Sequence, residues 1–251
     1  MIYIKKGPPH RNVSTKAAAI RRDPSWKKIP LTKPTDSKLA KGYGETLRNY
    51  FEQLPKTEIR ETLLEEQHYL CAYCMRELSD VDAVTIEHWF PLSQARDTAI
   101  DYQNFLGSCS GIYSQGQQPC RCCDNSKGGT PIKINPCQQW MMDCIHYESD
   151  GTIYFVAPDN LEPDTKKELN DDVYRDINET LCLNGAESEL TLHRARILRS
   201  CRKELKLLHA SNKCSIATVT RLVQRIENKQ RYPAYAGVML SVYKRWLKNH
   251  T

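Results

Sequence analysis

The sequence predicts an α+β protein in which a small mixed core sits between helical segments. Three observations carry this expectation. Apolar residues recur at three- and four-residue steps toward the C-terminus, as at Leu192, Ile197, Leu198, Leu205 and Leu208. Strand-like alternation is confined to the middle of the chain, at Val84, Thr85, Ile86 and Glu87 and around Asp150-Gly151. Between them lies a stretch, residues 71–128, that holds six of the eleven cysteines.

Taken in order, residues 1–44 contain Pro8, Pro9, Pro24, Pro30 and Pro34, which break any long helix. Residues 1–5 are expected as a short edge strand and 16–22 as one helical piece. The block as a whole is expected as an extended basic arm anchored by Trp26. Residues 44–69 read as helix interrupted at Pro55, and 81–89 as a strand that Pro91 ends. Residues 97–106 are expected as loop or short helix. Residues 108–119, rich in Gly, Ser and Gln, are expected as loop, and 124–128 as the start of a helix that Gly128 and Gly129 stop. Asp150-Gly151 favours a tight primed turn between strands at 144–148 and 152–156. Helices are expected over 165–183, 191–209, 215–229 and 234–248. The expected organisation is an arm (1–44), a cysteine-rich core with its hairpin (45–157) and a helical C-terminal region (158–251).

The net charge of +6 conceals an asymmetry. Residues 1–44 carry eleven Lys/Arg against two Asp/Glu, and residues 191–251 fourteen against two. The middle, 45–190, carries eleven against twenty-six. Basic ends attract phosphate backbones by releasing counterions; they equally neutralise the acidic middle, and the totals do not separate the two. No run of about 18 apolar residues is present, so no membrane span is expected. The N-terminus lacks an apolar signal core, so a cytoplasmic location is expected. In a reducing compartment clustered cysteines point to metal ligands and scattered ones, such as Cys137, Cys144, Cys182, Cys201 and Cys214, to packing.

Cys71 and Cys74 form a Cys-x-x-Cys knuckle, which supplies two thiolates from one tight turn. Cys109, Cys120, Cys122 and Cys123 are all placed to complete a tetrahedral zinc site, and spacing alone favours Cys120 with Cys123. Four thiolates leave no open position for water, so this zinc is structural and the chemistry must come from elsewhere. Glu87-His88 is the candidate. The carboxylate can hold a divalent cation, and an imidazole neutral near pH 7 can take a proton from water. Lys127 stands as a possible phosphate contact or a solvent-facing lysine. Arg96 and Arg121 are basic residues close to the motif.

These residues resemble the HNH endonucleases, which share the ββα-metal fold. The matching pattern is Cys71-Ala72-Tyr73-Cys74, then Ile86-Glu87-His88-Trp89-Phe90-Pro91, then Asn104, then Cys123-Asp124-Asn125-Ser126-Lys127-Gly128. The resemblance implies His88 as general base, Glu87 as a ligand of Mg²⁺ or Mn²⁺, and Asn104 as the residue that sets the base and its loop. The third position usually holds His or Asn; here it is Asp124, a departure that still suits Mg²⁺. The resemblance also implies the zinc set Cys71, Cys74, Cys109 and Cys123, with Cys120 or Cys122 as substitutes for Cys109. Over residues 56–200 the chain is similar to the retron- and Septu-associated HNH nucleases of bacterial anti-phage defence, the PtuB-like group. Asn135-Pro136 and Leu181-Cys182-Leu183-Asn184 with Arg194 add to that likeness. The partners it implies are a PtuA-like SMC/ABC-type ATPase and, in retron versions, a reverse transcriptase with its DNA–RNA product. DNA is the default substrate and RNA such as tRNA the alternative. A zinc-stabilised binding module without catalysis is the rival from another class.

Overall fold

Asp23 and Asp36 set where two of the N-terminal helices begin, each accepting a backbone N–H from the first turn that follows: Ser25 N at 2.8 Å and Leu39 N at 2.9 Å. The protein, seen here as a computed structural model, is described over residues 1–115, 118–185 and 189–250. Its first elements are α1 (Arg11–Arg22), α2 (Pro24–Lys27), α3 (Ser37–Phe51) and α4 (Lys56–Glu66). Helix α1 buries Val13, Ala17 and Ile20, a single stripe, against Trp26, Leu47 and Ile59.

This corrects the extended arm expected of residues 1–44. The prolines fall between helices or in a first turn, where they break nothing: Pro24 opens α2, and Pro30 and Pro34 occupy the link to α3. Trp26 is an anchor, 2% exposed, but of a packed helical layer. The boundary expected at residue 44 falls inside α3. Residues 1–5 are not a strand, although Ile4 donates its backbone N–H to Pro136 at 2.9 Å.

Strand β1 (Thr85–His88) pairs antiparallel with β2 (Phe105–Ser108), His88 facing Phe105 and Glu87 facing Leu106. Two 3₁₀ turns, Asp97–Ile100 and Tyr102–Asn104, precede β2. The sequence did not betray β2, because all four of its residues are buried and no alternation survives. Gly107 sits within it, and the buried Gln67 pairs with both of its backbone groups, at 2.6 Å and 2.8 Å. The hairpin divides two apolar cores. Phe105 packs with the N-terminal helices, and Leu106 packs with the cysteine-rich side. Pleating sends neighbours to opposite faces, so one short hairpin serves both.

A second hairpin, β3 (Ile112–Gln115) with β4 (Gln118–Arg121), replaces most of the loop expected over 108–119; Gly116 and Gln117 lie outside the described residues. Then come α5 (Cys123–Lys127), α6 (Gln139–Asp143), β5 (Ile145–Tyr147) and β6 (Ile153–Phe155). The β5–β6 hairpin falls at Asp150-Gly151 as expected, with Thr152 N donating to Asp150 at 2.8 Å, but its turn is not the primed one: Gly151 N donates to the Glu148 carbonyl at 3.0 Å, and of the loop residues only Gly151, φ +90°, is left-handed. The chain closes with α7 (Pro163–Arg175), which ends in a π-helical turn, Asp176–Thr180, and with α8 (Leu190–Ala210), α9 (Ile216–Glu227) and α10 (Ala236–Lys248). Arg194 on α8 is buried and donates to the carbonyls of Gly151 at 2.6 Å and Leu183 at 2.8 Å. It ties helix, hairpin and the Leu181–Asn184 turn together, and the core runs unbroken across residue 157. No helix among the described residues is long and apolar enough to cross a membrane.

Candidate metal centre and adjoining cleft

Two turns bring four sulfurs together. Cys71 and Cys74 lie in the turn after α4, which Met75 closes in the left-handed region at φ 63° while donating its N–H to the Cys71 carbonyl at 3.1 Å. Cys109 leaves β2 into a turn at Gly111, φ 66°, where a β-carbon would stand 2.2 Å from the Cys122 carbonyl oxygen. Only glycine fits there, and Cys122 N–H donates to the Gly111 carbonyl at 2.8 Å. Cys123 takes φ 55°, held by its N–H to the Leu181 carbonyl at 2.9 Å. The ligand atoms of Cys71, Cys74, Cys109 and Cys123 all lie within 4.8 Å of one another, and all four residues are buried.

The spacing can be tested against a metal. Tetrahedral zinc with Zn–S bonds near 2.3 Å requires sulfurs ~3.8 Å apart. Cys71 and Cys123 are separated by 3.9 Å, and Cys74 and Cys109 by 3.7 Å. The four buried cysteines fit a metal ion such as zinc. Cys120, the partner that spacing alone favours, instead directs its sulfur to the Arg121 carbonyl at 3.8 Å. Cys122 Sγ lies 3.6 Å from Cys123 Sγ, beside the four. Hydrogen bonds from Cys122 first, then from Cys123, Cys71 and Cys74, hold the Cys109 thiol below its usual range, and the same contacts push Cys74, Cys122 and Cys123 up, so without a metal the cluster shares its protons around one thiolate.

Strand alternation sends Glu87 and His88 to different surroundings. Glu87, 3% exposed, faces the cysteine side, where Tyr73 donates to Oε1 at 3.2 Å and Lys127 Nζ lies 2.6 Å from the same oxygen. Burial and then a hydrogen bond with the Asp124 carboxyl push the Glu87 carboxyl up to about 9, against the pull of Lys127. His88 faces the N-terminal core, edge-on to Phe51 and Phe105, with ring centroids 4.6 Å and 4.8 Å away. Its Nε2 meets the Ala99 carbonyl at 3.0 Å. A carbonyl only accepts, so Nε2 carries the proton and Nδ1 keeps a lone pair. Burial first, then the charges of Lys127, Arg48 and Lys56, pull His88 down to about 4, with the Ala99 bond opposing.

Asn104 does not reach into the cleft as a reactant. Its amide accepts from Phe90 N at 2.8 Å and donates to Phe90 O at 2.8 Å and Thr98 O at 3.1 Å. It thereby closes the 89–104 loop that presents Ala99 to His88. Lys127, 2% exposed, is neither solvent-facing nor open to a ligand: besides Glu87 it holds the His88 carbonyl at 2.9 Å. Arg96 is committed to Asp97 at 2.9 Å and to the Ile29 carbonyl at 3.0 Å. Arg121 is exposed on β4.

Glu87, His88 and Asp124 line one open cleft of about 890 Å³. Sequence reasoning missed Tyr73, the pairing of Lys127 with Glu87, and the whole of α3 as a cleft wall. Comparison with protein-family models and with curated proteins gives no match to this chain.

Proposed function

We propose that this protein is a metal-dependent endonuclease of the HNH type, hydrolysing nucleic-acid phosphodiester bonds. The observation that supports this best is the convergence of Glu87, His88 and Asp124 in one cleft, on the β1–β2 hairpin and α5, with the cysteine tetrad tying those elements together. In this reading the tetrad holds structural zinc. Glu87 and Asp124, two carboxyl groups that share a hydrogen bond, would hold a hard divalent cation in place of the proton between them, and Mg²⁺ or Mn²⁺ there would supply charge stabilisation for the phosphoryl and leaving oxygens. His88, neutral at pH 7, accepts the proton of the attacking water at Nδ1. Asn104 holds the loop whose Ala99 carbonyl fixes the ring and its tautomer. DNA is the default substrate and RNA such as tRNA the alternative. In this reading the protein is the toxic effector of a retron- or Septu-type anti-phage system and works beside a PtuA-like ATPase, as the resemblance over residues 56–200 implies.

A second reading draws on Lys127. Its Nζ already takes Glu87 Oε1 at 2.6 Å and the His88 carbonyl at 2.9 Å, which makes the polar cluster a finished structural unit inside a zinc-stabilised binding module. One experiment separates the two. The protein, with and without a PtuA-like ATPase, is incubated with plasmid DNA and total cellular RNA in Mg²⁺ or Mn²⁺, with EDTA and His88→Ala as controls. Cutting lost in both controls, with zinc content unchanged in His88→Ala, supports the nuclease. No cutting in any combination sinks it in favour of the binding module.

A further inference from the structure

The cleft has a wall that the HNH-like elements do not supply. Helix α3 turns Ala40, Lys41, Gly44, Glu45 and Arg48 toward it, positions that fall at three- and four-residue steps on one face. Its other face buries Tyr43, Leu47 and Phe51 in the N-terminal core. The wall is fastened at its base. Lys33 N–H donates to the Gln94 carbonyl at 3.0 Å, Arg96 N–H donates to the Leu31 carbonyl at 2.9 Å, and Thr32 bridges Ala95. Opposite α3 stand β1 and α5.

The floor between the walls is one side chain wide. Ser93 Cβ lies 3.4 Å from where a β-carbon on Gly44 would stand, and Ser93 Oγ lies 3.9 Å from where one on Gly129 would stand. Glu87 and His88, 3% and 8% exposed, line the same cleft. Lys33, Lys41 and Arg48 are exposed and line the cleft, with Glu45 the acid on the same face. Lys41 and Arg48 are two helical turns apart, about 10 Å along the axis, so they serve two separate phosphates of one strand and not a single anion. The C-terminal basic block contributes nothing here: every residue lining the cleft lies at or before Gly129.

We infer that α3 is the strand-binding wall of this site and that the substrate it admits is single-stranded nucleic acid. The inference rests on the nuclease reading. One backbone lies between α3 and α5 with its phosphates on Lys33, Lys41 and Arg48, and one phosphate drops to Glu87, His88 and Asp124. A single strand can splay its bases and reach the floor of so narrow a slot. A duplex carries its second backbone against α3 and is held at the rim. A basic groove that tracks one backbone is the usual solution for single strands.

The test measures binding apart from cutting. Full-length His88→Ala protein is titrated in Mg²⁺ with a fluorescent single-stranded DNA, a single-stranded RNA of the same sequence, and the DNA duplex. At least tenfold tighter binding of a single strand than of the duplex is expected, the two single-strand arms reporting the preferred sugar. Adding Lys41→Glu and Arg48→Glu should weaken that binding at least tenfold. The milder Lys41→Gln with Arg48→Gln should lower the slope of log affinity against log salt by about 1.4, since each phosphate contact on a single strand contributes about 0.7. Arg202→Glu with Lys206→Glu, exposed residues of α8 outside this cleft, should change neither. Duplex bound as tightly as single strand, or a double variant that binds unchanged, overturns the inference. With His88 intact, unaltered cutting by Lys41→Glu/Arg48→Glu overturns the wall and leaves the nuclease standing. Absence of cutting with single-strand binding still lost in the double variant overturns the nuclease and leaves the wall.

Discussion

Cys123 and Asp124 are consecutive residues at the start of α5, and they belong to sites built on opposite principles. The tetrad that Cys123 completes is closed: four buried sulfurs at tetrahedral spacing, on turns whose backbone is fixed by Gly111, Met75 and Cys123 itself. The cleft that Asp124 lines is open, and its groups are held away from their ordinary ionisation by burial, Glu87 up to about 9 and His88 down to about 4. In the first, burial satisfies every ligand with the others and leaves nothing for solvent to do. In the second, burial leaves His88 with one ring nitrogen committed to Ala99 and one still basic. The difference teaches that the density of buried polar atoms does not distinguish the two; in the proposed reading the uncommitted ring nitrogen of His88 is what makes the cleft the reactive one.

The largest effect should come from breaking the closed side. Cys71→Ser removes one sulfur from the tetrad. Structural zinc is worth on the order of 10–16 kcal/mol in small domains, as much as the whole stability of an ordinary domain, about 5–15 kcal/mol. We expect zinc content by atomic emission to fall from one ion per chain to none and the near-ultraviolet circular dichroism of the cysteine-side core to be lost. Cys120→Ser should leave both unchanged. Equal damage from the two substitutions would refute the assignment of the four ligands.

His88→Ala attacks the open side alone. Loss of a general base lowers turnover by about 10²- to 10⁴-fold. The variant should keep its zinc and its fold, melting a few degrees lower because Phe51 and Phe105 lose the ring between them. Activity falling together with zinc content would merge the two sites into one structural unit.

What could be read in advance follows the same division. The Cys71-x-x-Cys74 knuckle, Glu87-His88 and the Asp150-Gly151 hairpin are local patterns, and each appears where the sequence places it. The choice of Cys109 over Cys120 was not local: spacing favours Cys120, whereas the HNH resemblance implies Cys109, and the four sulfurs of that set lie together. It depends on Gly111 turning the chain under Cys122 and on Cys123 taking a left-handed φ, neither of which spacing encodes. Strand β2 hides because both of its faces are buried. Residues 1–44 mislead because prolines that punctuate several short helices look, residue by residue, like prolines that forbid them. Lys41 and Arg48 could be seen only as charge; that they face a cleft is set by Tyr43, Leu47 and Phe51 on the other side of α3.

A smaller effect separates the sites by pH. His88 is held at about 4 when folded, against about 6.5 when unfolded. The unfolded chain therefore binds more protons across that window, so stability rises with pH between them and is lost as pH falls from 6.5 toward 4. At about 1.4 kcal/mol per pH unit, roughly 3 kcal/mol is at stake. Urea unfolding of the wild type and of His88→Gln, compared at pH 4.5 and 7, isolates this share from protonation of the thiols, which is common to both. Parallel curves at the two pH values would mean that His88 is not held neutral by the fold.

Asn104 gives the smallest and most discriminating change, because it touches neither site. Asn104→Asp keeps the size and the acceptor for Phe90 N–H but removes the donors to the carbonyls of Phe90 and Thr98. Leaving such buried groups unpaired costs about 1–3 kcal/mol, and the loss falls on the loop that carries Ala99 to His88. A positioning residue of this kind should lower kcat by roughly tenfold, at about 1.4 kcal/mol per factor of ten, with KM for the nucleic acid and zinc content unchanged. The nitrogen resonances of the His88 ring should shift as the Nε2 bond to Ala99 weakens. A purely structural Asn104 would lower the melting temperature and leave both kcat and the ring resonances where they are, since nothing on the path from the loop to the base would have moved.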